Sequence, residues 1–160
     1  AAAGRIGELR RDPMAMLPFC GYNMADYWSH WLHIGEREGA QLPRIYYVNW
    51  FRKDDKGRFI WPGFSDNARV LKWIFERCEG EAEAVETPVG YLPAANSLDL
   101  TDLDLAAQSL QTLLKVNVDG WLQELPMIAE YYGQFGDRVP GAFRDELERL
   151  EKALRAAKAA

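Results

Sequence analysis

The stretch Asn49-Trp50-Phe51-Arg52-Lys53-Asp54-Asp55-Lys56-Gly57-Arg58-Phe59-Ile60-Trp61-Pro62-Gly63-Phe64-Ser65-Asp66-Asn67-Ala68-Arg69-Val70-Leu71-Lys72-Trp73 decides the fold class. The residues that lead into it, Arg44 to Phe51, include the β-formers Ile45, Tyr47 and Val48 and carry apolar groups on both faces. That pattern predicts a buried strand. Asp54-Asp55-Lys56-Gly57 is a turn, with Gly57 suited to positive φ. Arg58 to Trp61 then reads as a short return strand, and Pro62-Gly63 ends it. A helix is expected to start at Asp66 or Asn67 and to reach about Cys78, with Val70, Leu71, Ile74 and Cys78 on one face. A hairpin that runs into an amphipathic helix gives an α/β class.

Outward from this stretch the chain reads mostly helical. On the N-terminal side, Met24, Tyr27, Trp28, Trp31 and Leu32 follow helical spacing and predict a helix from Met24 to about Ile34, stopped by Gly35. Residues 1–23 read as irregular, because Asp12-Pro13 and Leu17-Pro18 interrupt any helix and Cys20-Gly21-Tyr22-Asn23 looks like a turn. On the other side, residues 79–101 read as a long surface connection containing Pro88 and Pro93. Helices are expected over about 102–114, 119–134 and 140–158, with Pro126 kinking or delaying the middle one. The division that follows is an irregular leading segment (1–23), a central region (24–101) and a C-terminal helical region (102–160). The whole is α/β and helix-rich, with a short β-hairpin.

Composition narrows the function classes. Of 160 residues, 48% are hydrophobic and 27% charged, which is an ordinary globular balance. Nineteen Lys and Arg against 24 Asp and Glu leave a net charge of −5. That balance argues against a general nucleic-acid binder, which needs a basic field to neutralise phosphates. No apolar run approaches the roughly 20 residues of a bilayer span. Two widely separated cysteines, Cys20 and Cys78, suit free thiols in an intracellular setting. Five of the six tryptophans lie between Trp28 and Trp73, the window where function is sought.

Phe51, Phe59 and Phe64 surround the hairpin and the turn after it, and the carboxamide of Asn67 follows at the mouth of a helix. Flat π faces can sandwich a planar base, and a carboxamide both donates and accepts, so it can read a base edge. The alternative is a hairpin packed by its own aromatics, with Asn67 capping the helix. His30 and His33 are three apart but lie opposite the apolar stripe, which favours solvated histidines over a metal pair. Cys20 has no CxxC partner, and Arg10-Arg11-Asp12 reads as solvated charge. No phosphate loop of the form GxxxxGK followed by Ser or Thr occurs, nor HExxH, nor GxSxG.

The string from Asn49 to Trp73 resembles the guanine-binding segment of GTP-dependent phosphoenolpyruvate carboxykinases. "RRDPMAMLPFCGYNMADYW" before it and "ETPVGYLP" after it resemble the same family, in the same order. The resemblance implies the C-terminal part of a nucleotide-binding lobe. It also implies an enzyme, a carboxy-lyase of gluconeogenesis in the cytoplasm, that converts oxaloacetate and GTP to phosphoenolpyruvate, CO2 and GDP with Mn2+ and Mg2+. Phe51, Phe59 and Phe64 match the three phenylalanines that hold guanine, and Asn67 matches the asparagine that contacts the base. The backbone from Phe64 through Ser65 and Asp66 to Asn67 belongs to that pocket. The family usually has glycine where Ser65 stands, a change that restricts positive φ. Ala1-Ala2-Ala3-Gly4 resembles the trailing end of a mobile lid.

The family's phosphate loop, metal ligands and oxaloacetate-binding arginines match no residue here. Ala1 is not a methionine, so the expectation is a C-terminal fragment that needs the upstream part of its parent as a partner, is inactive alone and exposes apolar surface that the parent buries. The other reading is a freestanding, non-catalytic nucleotide-binding or interaction module.

Overall fold

A computed structural model of the chain describes residues 11–12 and 16–159. The possible lid remnant at Ala1–Gly4 lies outside them. The chain divides into two compact units, one from residues 1–42 and 118–160, the other from Pro43 to Asn117.

The first unit contains α1 (Met24–Gly35), α4 (Val118–Gly133) and α5 (Gly141–Ala159). Asn23 starts α1: its Oδ1 accepts the Ala25 N–H at 2.9 Å, and its Nδ2 donates to the Phe135 carbonyl at 3.1 Å. One side chain thus caps a helix and ties it to the end of α4. Met24, Ala25 and Trp28 are buried from α1 and meet Tyr131, Phe135 and Val139. Trp28 lies edge-on to Phe135, with centroids 4.7 Å apart, and 5.0 Å from Phe143 of α5. The apolar stripe of α1 is therefore the core, and His30 and His33 are on its exposed side as expected. Helix α4 runs through Pro126 rather than being delayed by it. The missing N–H there removes one bond to Leu122 (four residues earlier), and packing against α5 maintains the rest. Asp12 is buried, not solvated: it accepts the Leu17 N–H at 2.9 Å, while neighbouring Arg11 pairs with Glu124.

The second unit contains α2 (Asn67–Glu79), the antiparallel strands β1 (Ala84–Thr87) and β2 (Gly90–Pro93), and α3 (Ala107–Leu114). Two expectations are corrected here. Residues 44–49 form no strand. Tyr46, Val48 and Trp50 are half-buried while Ile45, Tyr47 and Asn49 are exposed, so only one face is covered. Tyr46 sets its ring at 89° to Trp73 of α2, and Arg44 donates to the Arg77 carbonyl at 2.6 Å. β-forming residues alone make no ladder; a ladder needs a neighbouring strand, and none pairs with this segment among the described residues. The expected hairpin shrinks to one bridge, Lys53 with Phe59, flanked by N–H bonds from Asp54 to Arg58 and from Ile60 to Arg52, each 2.9 Å. The second correction is the strand pair inside 79–101, where a connection was expected. Pro88 sits in the turn between the strands and Pro93 ends the second, so neither breaks the pairing. Gly90, at φ +117°, completes that turn.

Helix α2 was legible and spans Asn67–Glu79. Its Trp73 is buried and donates to the Glu83 carbonyl at 3.2 Å, anchoring β1. Helix α3 begins at Ala107, later than expected, because Asp102 takes φ +59° and the preceding residues turn about Asp99. Among the described residues no helix is long and apolar enough to cross a membrane, and both cysteines are free.

Candidate functional site

The turn of residues 53–59 is built around Asp54. Its Oδ1 accepts the N–H groups of Lys56 and Arg58, each at 2.9 Å, and its Oδ2 pairs with the Arg58 guanidinium. The hydrogen bonds from Arg58 are the main reason its carboxyl sits below the usual carboxylate range. Asn49 accepts the Phe51 N–H at 3.0 Å, and Arg52 reaches the carbonyls of Leu113 and Lys115. The turn is thereby fixed at both ends. It sets Phe51 and Phe59 edge to face, 5.9 Å apart, with the Lys53 ammonium 5.1 Å from the Phe59 centroid.

Both rings are largely exposed, at 71% and 58%. Phe64 is exposed to 94% and makes no ring contact among the described residues. Its backbone is at φ +50°, directly after Gly63 at φ +81°. The left-handed region costs a residue with a β-carbon roughly 1–2 kcal/mol. The chain thus bears backbone strain at Phe64 while leaving its ring in water. No packing within the unit rewards that arrangement, and strain of this kind gathers at functional sites.

Phe64, Ser65 and Asp66 form a single 3-10 turn ahead of α2. Ser65 is exposed. Asp66 accepts from Arg69 at 2.9 Å, and Arg69 in turn donates to the Asp99 carbonyl. Lys72 lies 3.3 Å from the Asp99 carboxylate. Hydrogen bonds from Thr101, then Lys72, pull the Asp99 carboxyl down to about 2. This network secures the mouth of α2.

Asn67 does not cap the helix. It is the first helical residue, and Asp66 before it has helical φ and ψ and makes no side-chain cap bond. The Asn67 Oδ1 accepts instead from the Trp61 indole Nε1 at 2.9 Å. Trp61 is only 5% exposed. From sequence, Trp61 is the last residue of the expected return strand and one of the clustered tryptophans; the signal for its role is a donor-only indole six residues before an amide. Of the six expected site residues, the fold brings Phe51 and Phe59 into contact and places Phe64, Ser65, Asp66 and Asn67 on one continuous turn. Among the described residues no cluster of His, Cys, Asp or Glu could hold a metal ion. The described residues therefore offer no ligand set for Mn2+ or Mg2+.

The profile of the phosphoenolpyruvate carboxykinase C-terminal P-loop domain matches residues 1–153. The phosphoenolpyruvate carboxykinase (GTP) of Chlamydia abortus is 55% identical over 97% of this chain and 26% of its own length. The proteins of that name from Arthrobacter sp. and Treponema pallidum are 52% and 50% identical over 96% and 94% of the chain, and 25% of their own length. The chain spans about a quarter of the length of the curated relatives it matches.

Proposed function

Since the chain belongs to the phosphoenolpyruvate carboxykinase C-terminal P-loop domain family, we propose that it is the guanine-holding C-terminal part of a cytoplasmic GTP-dependent phosphoenolpyruvate carboxykinase. The parent reaction would take oxaloacetate and GTP to phosphoenolpyruvate, CO2 and GDP, with metals and phosphate loop supplied by upstream sequence. Region 24–101 carries the base pocket, 102–160 the C-terminal helices, and 1–23 leads into them.

In this reading Phe51, Phe59 and Phe64 stack on guanine, the backbone of Phe64 to Asn67 lines its edge, and the Asn67 amide bonds to it. The observation that carries it is Phe64, strained at φ +50° and exposed to 94%. A stacked base would cover that ring, at roughly 1–3 kcal/mol per base. Support for the upstream partner comes from exposed apolar side chains with no role in the pocket, Ile45, Tyr47, Leu71 and Phe75. Large apolar side chains left this exposed suit a covering partner.

Nucleotide affinity of the full-length protein tests the pocket. Phe64→Ala is expected to weaken GTP and ITP alike, by about tenfold or more. Unchanged GTP affinity would refute it. The isolated 160-residue chain is expected to form no phosphoenolpyruvate from oxaloacetate, GTP and Mn2+; activity of the chain alone would refute the need for upstream sequence.

A further inference from the structure

An indole N–H donates and never accepts, so the Asn67 oxygen must be the atom that faces Trp61. The Nδ2 amino group is then turned away from the indole, and it makes no hydrogen bond among the described residues. Flipping the amide by half a turn would set N–H against NH2, losing the 2.9 Å bond and replacing it with a donor-donor clash. Trp61 is only 5% exposed, and its indole has no acceptor to offer the NH2 after such a flip. Asn67 is half-buried at the first position of α2, where the Phe64 and Ser65 carbonyls accept its backbone N–H. Both the backbone and one end of the amide are therefore fixed before any ligand arrives.

We infer that Trp61 is a positioning residue. By holding the Asn67 oxygen it presents only N–H donors to the base, and so selects purines with an oxygen at position 6 over purines with an amino group there. This rests on the guanine-pocket reading above. The chemistry is that of edge complementarity. Guanine and hypoxanthine carry an acceptor at position 6. Adenine and 2,6-diaminopurine carry a donor, which would meet the amide NH2 and leave both groups unpaired. The three aromatic faces cannot make this distinction, because every purine has a π face. A free amide could not make it either, since it would turn its oxygen toward an amino group. Selectivity therefore depends on the group that forbids the turn.

The test uses the full-length protein and equilibrium affinities for GTP, ITP, ATP and 2,6-diaminopurine riboside triphosphate. In Trp61→Phe the ratio of diaminopurine to GTP dissociation constants is expected to fall about tenfold, the scale of one unmade buried hydrogen bond. GTP and ITP should move together. In an Asn67→Ala background, Trp61→Phe should change that ratio no further, because the indole acts only through the amide. An equal loss for all four nucleotides, or an unchanged ratio, overturns the inference and leaves Trp61 a packing residue. Should Trp61→Phe fail to fold, Asn67→Asp decides. One carboxylate oxygen keeps the indole bond and the other, an acceptor, faces the base, so the order of preference should reverse toward 6-aminopurines. Retained preference for 6-oxopurines in Asn67→Asp overturns the inference. Wild-type protein that binds ATP as tightly as GTP would instead refute the guanine pocket itself, and with it any role for Trp61 in base choice.

Discussion

Replacing Phe64 by glycine should stabilise the fold, relative to alanine at the same position, while impairing the proposed pocket. The side chain is 94% exposed, so its removal forfeits almost no buried apolar area. The backbone, at φ +50°, is where glycine alone is unstrained. Alanine keeps the β-carbon and the left-handed penalty of roughly 1–2 kcal/mol. Glycine relieves it but loses about 0.5–1 kcal/mol through the greater freedom of the unfolded chain. The expected order is Phe64→Gly more stable than Phe64→Ala by ~1 kcal/mol, with Phe64→Ala within ~0.5 kcal/mol of wild type. Urea unfolding followed by tryptophan fluorescence measures the order, and GTP titration of the same samples measures affinity. Both variants should lose the stacking contribution of ~1–3 kcal/mol, so stability and binding move in opposite directions in Phe64→Gly. A glycine variant less stable than the alanine variant would show that the backbone is not strained, and an alanine variant well below wild type would show that the ring packs. Intact GTP affinity in both would remove Phe64 from the site.

Other consequences are open to direct measurement. Asn23→Ala removes a helix cap and the bond to the Phe135 carbonyl together, and should cost ~1–2 kcal/mol in denaturant unfolding. Burial, then the nearby Asp12 charge, pushes the Tyr131 phenol up to about 12, and its hydroxyl has no hydrogen-bond partner among the described residues. A folded-state value above the unfolded one gives stability that is present below pH ~10 and lost as pH rises through about 12. Tyr131→Phe should abolish that alkaline loss and change neutral-pH stability by less than ~1 kcal/mol, as read from melting curves at stepped pH. The Asp99 carboxyl, held at about 2, is depressed in the folded state. Its contribution at the mouth of α2 is present above the unfolded value of ~4 and fades as pH falls toward about 2. Carbon-detected titration showing an ordinary carboxylate value at Asp99 would exclude the clamp with Lys72 and Thr101.

The sequence by itself determined the elements whose stability is local. Helices α1, α2, α4 and α5 follow from apolar spacing, because the buried face of a helix recurs every three to four residues whatever covers it. The turn at Asp54–Gly57 follows from its residue types, since an aspartate binds its own downstream N–H groups. The family resemblance was also in the residues, and with it the choice of Phe51, Phe59, Phe64 and Asn67. Tertiary structure decided what depends on a partner. The β-forming residues between Arg44 and Phe51 do not say whether another strand lies beside them; in the fold they lie against α2 without a ladder. Pro88 and Pro93 look like breakers until the pairing of β1 with β2 places them where no ladder bond is needed. An asparagine at a helix mouth can cap the helix or serve another group, and spacing cannot choose between the two. The choice was made by the buried indole of Trp61, which donates to the amide oxygen at 2.9 Å and leaves the amino group turned away from the indole. A hydrogen bond is directional, and its direction is fixed only when the fold brings both groups into place.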